Sequence, residues 1–320
     1  MEYTRVGDSG PYVSKVILGT ASYGSSRWQE WILEEEAALP LLEHAFDVGI
    51  NTWDTADAYS NGRSEETVGK ALKMHSIPRE QVVILTKILY ALDPEGQCPI
   101  SSLKDKTKRH LVNRVGLSRK HIFAAVTEST QRLGTYIGVL QIHRIDRECN
   151  LTETMKALHD VVESGLYIAE KNGWHKFIFM QNYHSLLYRE EEREMIPFCR
   201  DSGVGILPWS PLARGVLAHP WTERDTKREK TDKLLTSLVR GRVTTSDGII
   251  VSRVQEIAKK RGVKMSTIAL AWSLWQGMCP ITGLGSTTRI DEAVQTVVFE
   301  LSDDEAAYLE EPYTPKEVAY

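Results

Sequence analysis

The chain has 320 residues, of which 42% are hydrophobic and 26% are charged, so its composition is that of an ordinary folded protein and not of a disordered one. Its net charge of −4 argues against a protein that binds nucleic acid without sequence preference, because such proteins need excess positive charge. The sequence has no apolar run of membrane-spanning length and no signal-peptide pattern, and its four cysteines are scattered. We therefore expect a cytoplasmic protein with no membrane segment, no metal site and no disulfide framework.

Short apolar runs rich in valine and isoleucine predict strands, and the amphipathic stretches between them predict helices. After a short opening hairpin (residues 3–6 and 12–13), the predicted elements in chain order are strand Val16–Gly19, helix Glu34–Asp47, strand Ile50–Trp53, helix Ser64–Met74, strand Val82–Thr86, helix His121–Leu133, strand Ile137–His143, helix Leu151–Glu163, strand Phe177–Gln181, helix Glu190–Asp201, strand Gly205–Trp209, helices Ile249–Arg261 and Ser266–Gln276, and strand Pro280–Gly283. Continuous apolar strands that alternate with helices indicate a parallel α/β fold. No linker divides the chain, so we predict a single domain over residues 1–320.

Polar side chains come at the ends of five predicted strands. They are Asp54, Lys87, His143, Gln181 and Ser210. In an α/β barrel the C-terminal ends of the strands meet on one face, where active sites are built. Each of the five could be an ordinary loop residue, but the convergence of all five favours a shared site.

The most informative segment is residues 51–72, NTWDTADAYSNGRSEETVGKAL. Asp54 ends a predicted strand, and Tyr59 follows five residues later. Ser64 is predicted to cap the next helix, with Glu65 and Glu66 in its first turn, where the helix dipole favours acidic side chains.

Four segments that occur in the same order resemble the aldo-keto reductases, and the resemblance covers nearly the whole chain. The segments are residues 51–72, ILTK (84–87), LQIHRID (140–146) and WSPLARG (209–215). The branch that they resemble most contains fungal aryl-alcohol dehydrogenase-like and norsolorinic acid reductase-like enzymes. The resemblance implies a (β/α)8 barrel of the TIM type that binds NADP(H) without a Rossmann fingerprint, and the sequence contains no GxGxxG motif.

The resemblance implies a catalytic tetrad of Asp54, Tyr59, Lys87 and His143. Carbonyl reduction needs a proton for the developing alkoxide, and a free tyrosine, with a pKa of about 10, is a poor proton donor near neutrality. A neighbouring lysine lowers that pKa, Asp54 would pair with Lys87, and His143 can orient the substrate oxygen or help to relay the proton. The alternative is an ordinary salt bridge between Asp54 and Lys87 and a histidine packed in the core.

The resemblance also implies the residues that hold the cofactor. Gln181 would bind the nicotinamide carboxamide, and Trp209 would stack on the nicotinamide ring. A charged fork such as that of Arg289 suits a phosphate, because it can bind two oxygens at once. The remaining expected cofactor residues are Thr20 and Asp54 near the nicotinamide, Ser210, Leu212, Arg214 and Gly215 at the pyrophosphate, and Gly283, Ser286 and Glu292 near the adenosine and its 2′-phosphate.

One stretch departs from the family pattern. In the family a fifth strand lies between the strands that here end at His143 and Gln181. Here the helix that starts at Leu151 ends at Gly165, and the sequence then runs through the tail of a further helix into the next strand. We therefore predict a barrel that lacks the fifth strand, with roughly 20 residues lost relative to the β/α repeat and an open gap in the sheet. Strand number is linked to strand tilt in a barrel, so such a loss has structural consequences.

The hypothesis is an NADPH-dependent oxidoreductase of secondary metabolism that reduces an aldehyde or ketone, with a small carbonyl or alcohol compound as substrate and with no nucleic-acid or membrane partner. Tyr23, Trp28 and Trp31 favour either an aromatic pocket wall, suited to aryl or polyketide-like carbonyls, or simple packing. The alternative is a catalytically impaired or regulatory NADPH-binding protein, because of the missing strand. A TIM-barrel hydrolase would need paired acids or metal ligands at strand ends, and we find no such set. The sequence leaves the oligomeric state open.

Overall fold

The computed structural model describes residues 1–93, 109, 111–165 and 177–319. Within them the strands are β1 (Tyr3–Arg5), β2 (Tyr12–Ser14), β3 (Ile17–Gly19), β4 (Tyr23–Gly24), β5 (Leu33–Glu34), β6 (Thr52–Asp54), β7 (Val83–Ile88), β8 (Val139–Ile142), β9 (Phe179–Met180), β10 (Gly205–Ile206) and β11 (Ile281–Thr282). The helices are α1 (Glu35–Asp47), α2 (Arg63–Met74), α3 (Arg119–Leu133), α4 (Leu151–Gly165), α5 (Met195–Asp201), α6 (Lys227–Thr231), α7 (Lys233–Leu238), α8 (Thr245–Arg261), α9 (Met265–Trp275), α10 (Thr287–Thr296) and α11 (Asp303–Glu310). Strands and helices alternate along much of this chain, which confirms the predicted α/β class.

The predicted elements are present with small shifts of their ends. The opening hairpin forms as an antiparallel pair, with Tyr3 opposite Ser14. The helix predicted over 190–201 is interrupted: a 3-10 turn ends at Arg193, and α5 begins after Glu194, whose φ of −142° is not helical. Pro197, in the first turn of α5, lacks an N–H and is tolerated there.

The chain divides into two compact units. The first contains residues 1–19, 44–52 and 177–320. In it β9 pairs in parallel with β10, and β11 pairs in parallel with β3. Its core surrounds the fully buried Trp272 of α9 and includes apolar side chains of α8 and α11. The first unit thus combines parallel strands with a helical layer.

The second unit contains residues 20–43 and 53–176. Strands β7 and β8 pair in parallel from Leu85 opposite Val139 to Ile88 opposite Ile142. Apolar side chains of β7, α3 and α4, among them Ile88, pack into one core cluster. After β6 the chain continues beside β7, because Thr55 N–H donates to the carbonyl of Leu85 at 2.8 Å. These contacts fix the ends of β6, β7 and β8.

The stretch where the fifth strand was expected is described only in part. Between β8 and β9, helix α4 is the one regular element within the described residues. Residues 166–176, which include the predicted short helical piece at 166–171, lie outside the described residues, as do 94–108 of the predicted insertion at 89–120. The open gap and the single domain therefore stay predictions.

None of the described helices has the length and apolar character needed to span a membrane.

Candidate active site

A buried ion pair joins the ends of two strands of the second unit. Asp54 is the last residue of β6, and Lys87 lies near the end of β7. The Lys87 Nζ atom donates to both carboxylate oxygens of Asp54, at 2.8 and 2.7 Å, and to the carbonyl of Thr55 at 2.9 Å. Only 2% of Asp54 and 3% of Lys87 is exposed, so water screens this pair little.

Gln141 of β8 extends this network, and the sequence-based prediction missed it. Its Nε2 atom donates to Asp54 Oδ1 at 3.1 Å, and the side chain is buried. Side chains two residues apart in a strand lie on the same face. The position of Gln141, two residues before His143, was therefore the signal that could have identified it.

Tyr59 lies beside the lysine in a tight turn. The Lys87 Nζ atom is 5.0 Å from the centre of the Tyr59 ring. Burial tends to lower the pKa of Lys87, but the charge of Asp54 and the interactions with Asp54 and Tyr59 outweigh it, so the pKa is raised. Ser60 and Asn61, which follow Tyr59, have φ angles of 50° and 51°. Left-handed backbone in residues other than glycine costs about 1–3 kcal/mol and often occurs at functional sites.

The cap predicted for the following helix is wrong. Helix α2 begins at Arg63 and is preceded by Gly62, which has a positive φ of 90° and offers no side-chain cap. The Ser64 hydroxyl lies inside the helix and donates to the carbonyl of Thr20 at 2.9 Å. The hydroxyl of Thr20, which is fully buried, also contacts the carbonyl of Asp54 at 3.1 Å. A tertiary contact thus engages the serine that would otherwise cap the helix.

His143 comes directly after β8, and its ring packs between two tyrosines. The ring centres of Tyr59 and Tyr90 lie 6.0 and 5.1 Å away, both with edge-to-face geometry. Burial, and then the positive charges of Lys87 and Arg144, lower the pKa of His143 to about 3. The imidazole is therefore neutral near pH 7, and its Nδ1 atom has no hydrogen-bond partner among the residues that the structure describes.

Together these side chains carry the chemical groups that a proton transfer requires. The half-buried phenol of Tyr59 can donate a proton, Lys87 supplies a fixed positive charge beside it, and a neutral His143 can donate or accept one hydrogen bond. The structure brings all four predicted tetrad residues together in the second unit.

The expected nicotinamide residues Gln181 and Trp209 lie in the first unit. Gln181 directly follows β9, and Trp209 follows β10. The Trp209 ring stacks on Tyr183 at 4.7 Å, and Tyr183 stacks on Tyr188 at 4.6 Å. This column of three rings fixes the orientation of Trp209.

The loop after Trp209 has an unusual backbone. Ser210, Ala213 and Arg214 have positive φ angles of 56°, 45° and 58°, and Gly215 has a φ of 104°. Leu212 lies among them and precedes the 3-10 turn that begins at Ala213. Hydrogen bonds within the loop hold this conformation, since the N–H groups of Ala213 and Gly215 donate to the carbonyls of Ser210 and Leu212 at 2.8 and 2.9 Å.

An open cavity lies beside this loop and is lined by four arginines. They are Arg214, Arg228, Arg240 and Arg289. Arg214 donates two hydrogen bonds to Asp232, at 2.8 and 2.6 Å, whereas the side chain of Arg289 has no carboxylate partner in the described part of the chain. A site rich in guanidinium groups fits a ligand that carries several phosphates.

The remaining predicted cofactor residues lie within six residues of Arg289 in the sequence. Ser286 caps α10, since its hydroxyl accepts from the N–H of Arg289 at 3.3 Å. Gly283 directly follows β11, and Glu292 lies on α10; neither lines the cavity. The structure therefore brings together Arg214, Gly215 and Arg289, and it adds Arg228 and Arg240, which the sequence did not indicate.

Comparison with known proteins agrees with these observations. Residues 15–313 match the Aldo/keto reductase family. A versiconal hemiacetal acetate reductase of Aspergillus parasiticus is 55% identical over 338 aligned positions, which cover 99% of this chain and 98% of that protein. A putative aryl-alcohol dehydrogenase of Schizosaccharomyces pombe is 47% identical, with 98% and 96% covered, and one of Saccharomyces cerevisiae is 41% identical, with 99% and 98% covered.

The first of these alignments is longer than the chain itself. Its 338 positions exceed the 320 residues, so at least 18 positions of the relative have no counterpart here. The match over most of its length shows that the chain belongs to the aldo/keto reductase family, an oxidoreductase family with the (β/α)8 barrel fold.

Proposed function

We propose that the protein is an NADPH-dependent reductase that converts an aldehyde or ketone to the alcohol, with Tyr59 as the proton donor. The observation that carries this proposal is the buried Asp54–Lys87 pair beside the Tyr59 ring, with a neutral His143 at the edge of that ring. An ordinary structural salt bridge would not account for a tyrosine and a neutral histidine in the same contact.

Each of the four side chains has a distinct role in the proposed reaction. Tyr59 gives its proton to the oxygen of the carbonyl as negative charge develops there. The ammonium of Lys87 stabilises the phenolate that remains, because a nearby positive charge favours the ionised phenol. Asp54 keeps Lys87 protonated and in place through two hydrogen bonds. His143, which is neutral, orients the carbonyl oxygen by a hydrogen bond without adding charge.

The cofactor would be NADP(H), which supplies the hydride when bound. The family resemblance assigns Gln181, Trp209, Thr20 and Asp54 to its nicotinamide end. The phosphates would lie against the arginine-lined cavity and the loop Ser210–Gly215, where Leu212 and Arg214 also lie. Gly283, Ser286, Arg289 and Glu292 would hold the adenosine end. The support for this proposal is the set of guanidinium groups that line the cavity.

The substrate class is proposed from the relatives. One relative is named for a hemiacetal acetate and others for aryl alcohols, and the second set of names favours an aryl carbonyl for this chain. Trp28 is half-buried and suits an aromatic wall, and its indole N–H has no hydrogen-bond partner among the described residues. Tyr23 is fully buried, so it belongs to the core. The proposed substrate is a small carbonyl or alcohol compound, and the proposed location of the protein is the cytoplasm.

A second candidate is a family member with impaired catalysis that binds NADPH as a regulatory protein. The observation that favours it is that at least 18 positions of the Aspergillus parasiticus relative have no counterpart in this chain. The intact tetrad favours the first candidate.

A kinetic comparison separates the two candidates. The full-length protein is titrated with NADPH and with NADH by fluorescence, and turnover is then measured with a panel of aromatic aldehydes. Turnover with a preference for NADPH supports the reductase. Tight NADPH binding without turnover of any aldehyde or ketone in the panel supports the regulatory protein. Binding of neither cofactor contradicts both.

A further inference from the structure

A buried carboxylate, that of Asp232, binds two of the arginines that line the cavity in the first unit. Asp232 Oδ2 accepts hydrogen bonds from Arg214 and, at 2.9 Å, from Arg228. Asp232 Oδ1 accepts the N–H groups of Leu234 and Leu235, which start α7. Only 2% of Asp232 is exposed. One side chain therefore fixes the start of a helix and the direction of two guanidinium groups.

Arg228 lies in a positively charged environment. Burial, and then the charge of Arg214, lower the pKa of Arg228 to about 10; Asp232 opposes this shift, and Arg289 adds to it. Arg228 is thus close enough to two other arginines that line the cavity, Arg214 and Arg289, for their charges to act on it. Arg240, which lines the same cavity, is also paired, in its case with Glu229.

Arg228 and Arg289 come from different parts of the chain. Arg289 is in the first turn of α10, whereas Arg228 is in α6, within the charged insertion between β10 and α8. The side chain of Arg228 is 32% exposed, so a ligand in the cavity can reach it. Two like charges that face one cavity repel each other, and a dianionic group between them removes that repulsion.

We propose that Arg228 is a specificity-determining residue that binds, together with Arg289, the 2′-phosphate of the adenosine half of the cofactor, and that Asp232 is the positioning residue that holds Arg228 there. This inference rests on the proposed function in so far as the ligand is NADP(H). The insertion would then be the element by which this chain distinguishes NADPH from NADH. The competing interpretation is that Arg228 only stabilises the insertion through its ion pair with Asp232.

A comparison of two soluble nucleotides measures how much the 2′-phosphate contributes to binding. Adenosine 2′,5′-bisphosphate and adenosine 5′-monophosphate differ only by the 2′-phosphate, so the ratio of their affinities measures the contribution of that group. We expect Arg228→Met to weaken binding of the bisphosphate about 10- to 100-fold, the range for one lost charge-assisted hydrogen bond, and to leave the monophosphate nearly unchanged. Lys227→Met is the matched control, since it removes a charge from an exposed neighbour in the same helix that does not line the cavity.

The positioning role of Asp232 has its own variant. Asp232→Asn keeps the shape of the side chain and a cap for α7 but loses the charge that holds Arg228. We expect it to weaken the bisphosphate about tenfold, less than Arg228→Met does, and to add little when the two substitutions are combined, because both act through Arg228. Additive losses would contradict the positioning role.

A measurement on the unaltered protein covers the case in which a variant does not fold. Phenylglyoxal modifies accessible arginines, and mass spectrometry identifies which ones. We expect the bisphosphate, but not the monophosphate, to protect Arg228 and Arg289 from modification. Equal protection by both nucleotides, or equal loss of both affinities in Arg228→Met, would overturn the proposal. If the protein reduces no carbonyl and yet the bisphosphate protects Arg228, the proposed function fails while this site stands.

Discussion

Replacement of Lys87 by methionine separates the stability of the buried ion pair from its chemistry. The Nζ atom makes three hydrogen bonds of 2.7 to 2.9 Å, two to Asp54 and one to the Thr55 carbonyl. Lys87→Met removes all three and leaves the Asp54 carboxylate buried without its cation. Loss of one partner of a buried ion pair costs about 3–5 kcal/mol, which for a chain of 320 residues corresponds to a fall in Tm of about 4–8 °C. The matched control is Lys73→Met on the exposed surface of α2, which should leave Tm nearly unchanged.

The double variant Lys87→Met/Asp54→Asn divides this loss into two parts. It removes both charges, so no unpaired carboxylate stays buried, and we expect part of the lost stability to return. Carbonyl reduction should not return, because Tyr59 still lacks a positive neighbour that favours its ionised form.

The assay combines thermal unfolding, which gives Tm, with the pH profile of aldehyde reduction at saturating NADPH. We expect Lys87→Met to reduce the rate at neutral pH and to move the tyrosine-dependent limb of the profile to higher pH. A Lys87→Met protein with the wild-type rate and an unchanged profile would show that the lysine does not tune the tyrosine. Recovery of both stability and turnover in the double variant would show that the loss of activity was only structural.

Three further predictions concern the cofactor, the histidine and the shortened repeat. Arg289→Ala should weaken NADPH about 10- to 100-fold by fluorescence titration and NADH far less, and equal losses would mean that Arg289 acts structurally. The pKa of His143 is about 3 in the folded protein against an ordinary value of 6.5, so between these pH values the unfolded chain binds a proton that the folded chain does not. Wild-type stability should therefore fall as the pH drops through this window, and His143→Asn should show a shallower fall; equal slopes would refute the buried neutral state. Insertion of a family-type fifth strand after Gly165 should raise both Tm and NADPH affinity, and no change in either would show that the shortened barrel is a competent fold.

The local parts of the fold and site could be predicted from the sequence. Buried strands read as apolar runs, and Asp54 and Lys87 each come near the end of such a run, so their meeting follows from the geometry of parallel strands. Helix α11 could also have been predicted, because Ser302 and Glu305 form a capping box with the S-x-x-E spacing.

Other features depend on contacts between distant residues and have no local signal. Ser64 has the sequence signature of a cap, but its hydroxyl bonds to Thr20, which lies 44 residues earlier. Arg214 was expected to act on a phosphate, and the structure pairs it with Asp232 inside a charged run in which no acid is distinguished by sequence. The roles of such side chains are set by tertiary packing, which a single sequence does not encode position by position.

The most direct test of the account is single-turnover reduction of an aromatic aldehyde by Tyr59→Phe with saturating NADPH. Phenylalanine keeps the ring that lies 5.0 Å from Lys87 Nζ and 6.0 Å from the His143 ring but removes the proton that the account assigns to the carbonyl oxygen. A general acid contributes about 10²–10⁴-fold, so the account predicts a loss of this size with NADPH affinity nearly unchanged. A loss below about tenfold would show that the proton comes from another group and would contradict the claim that Tyr59 is the proton donor.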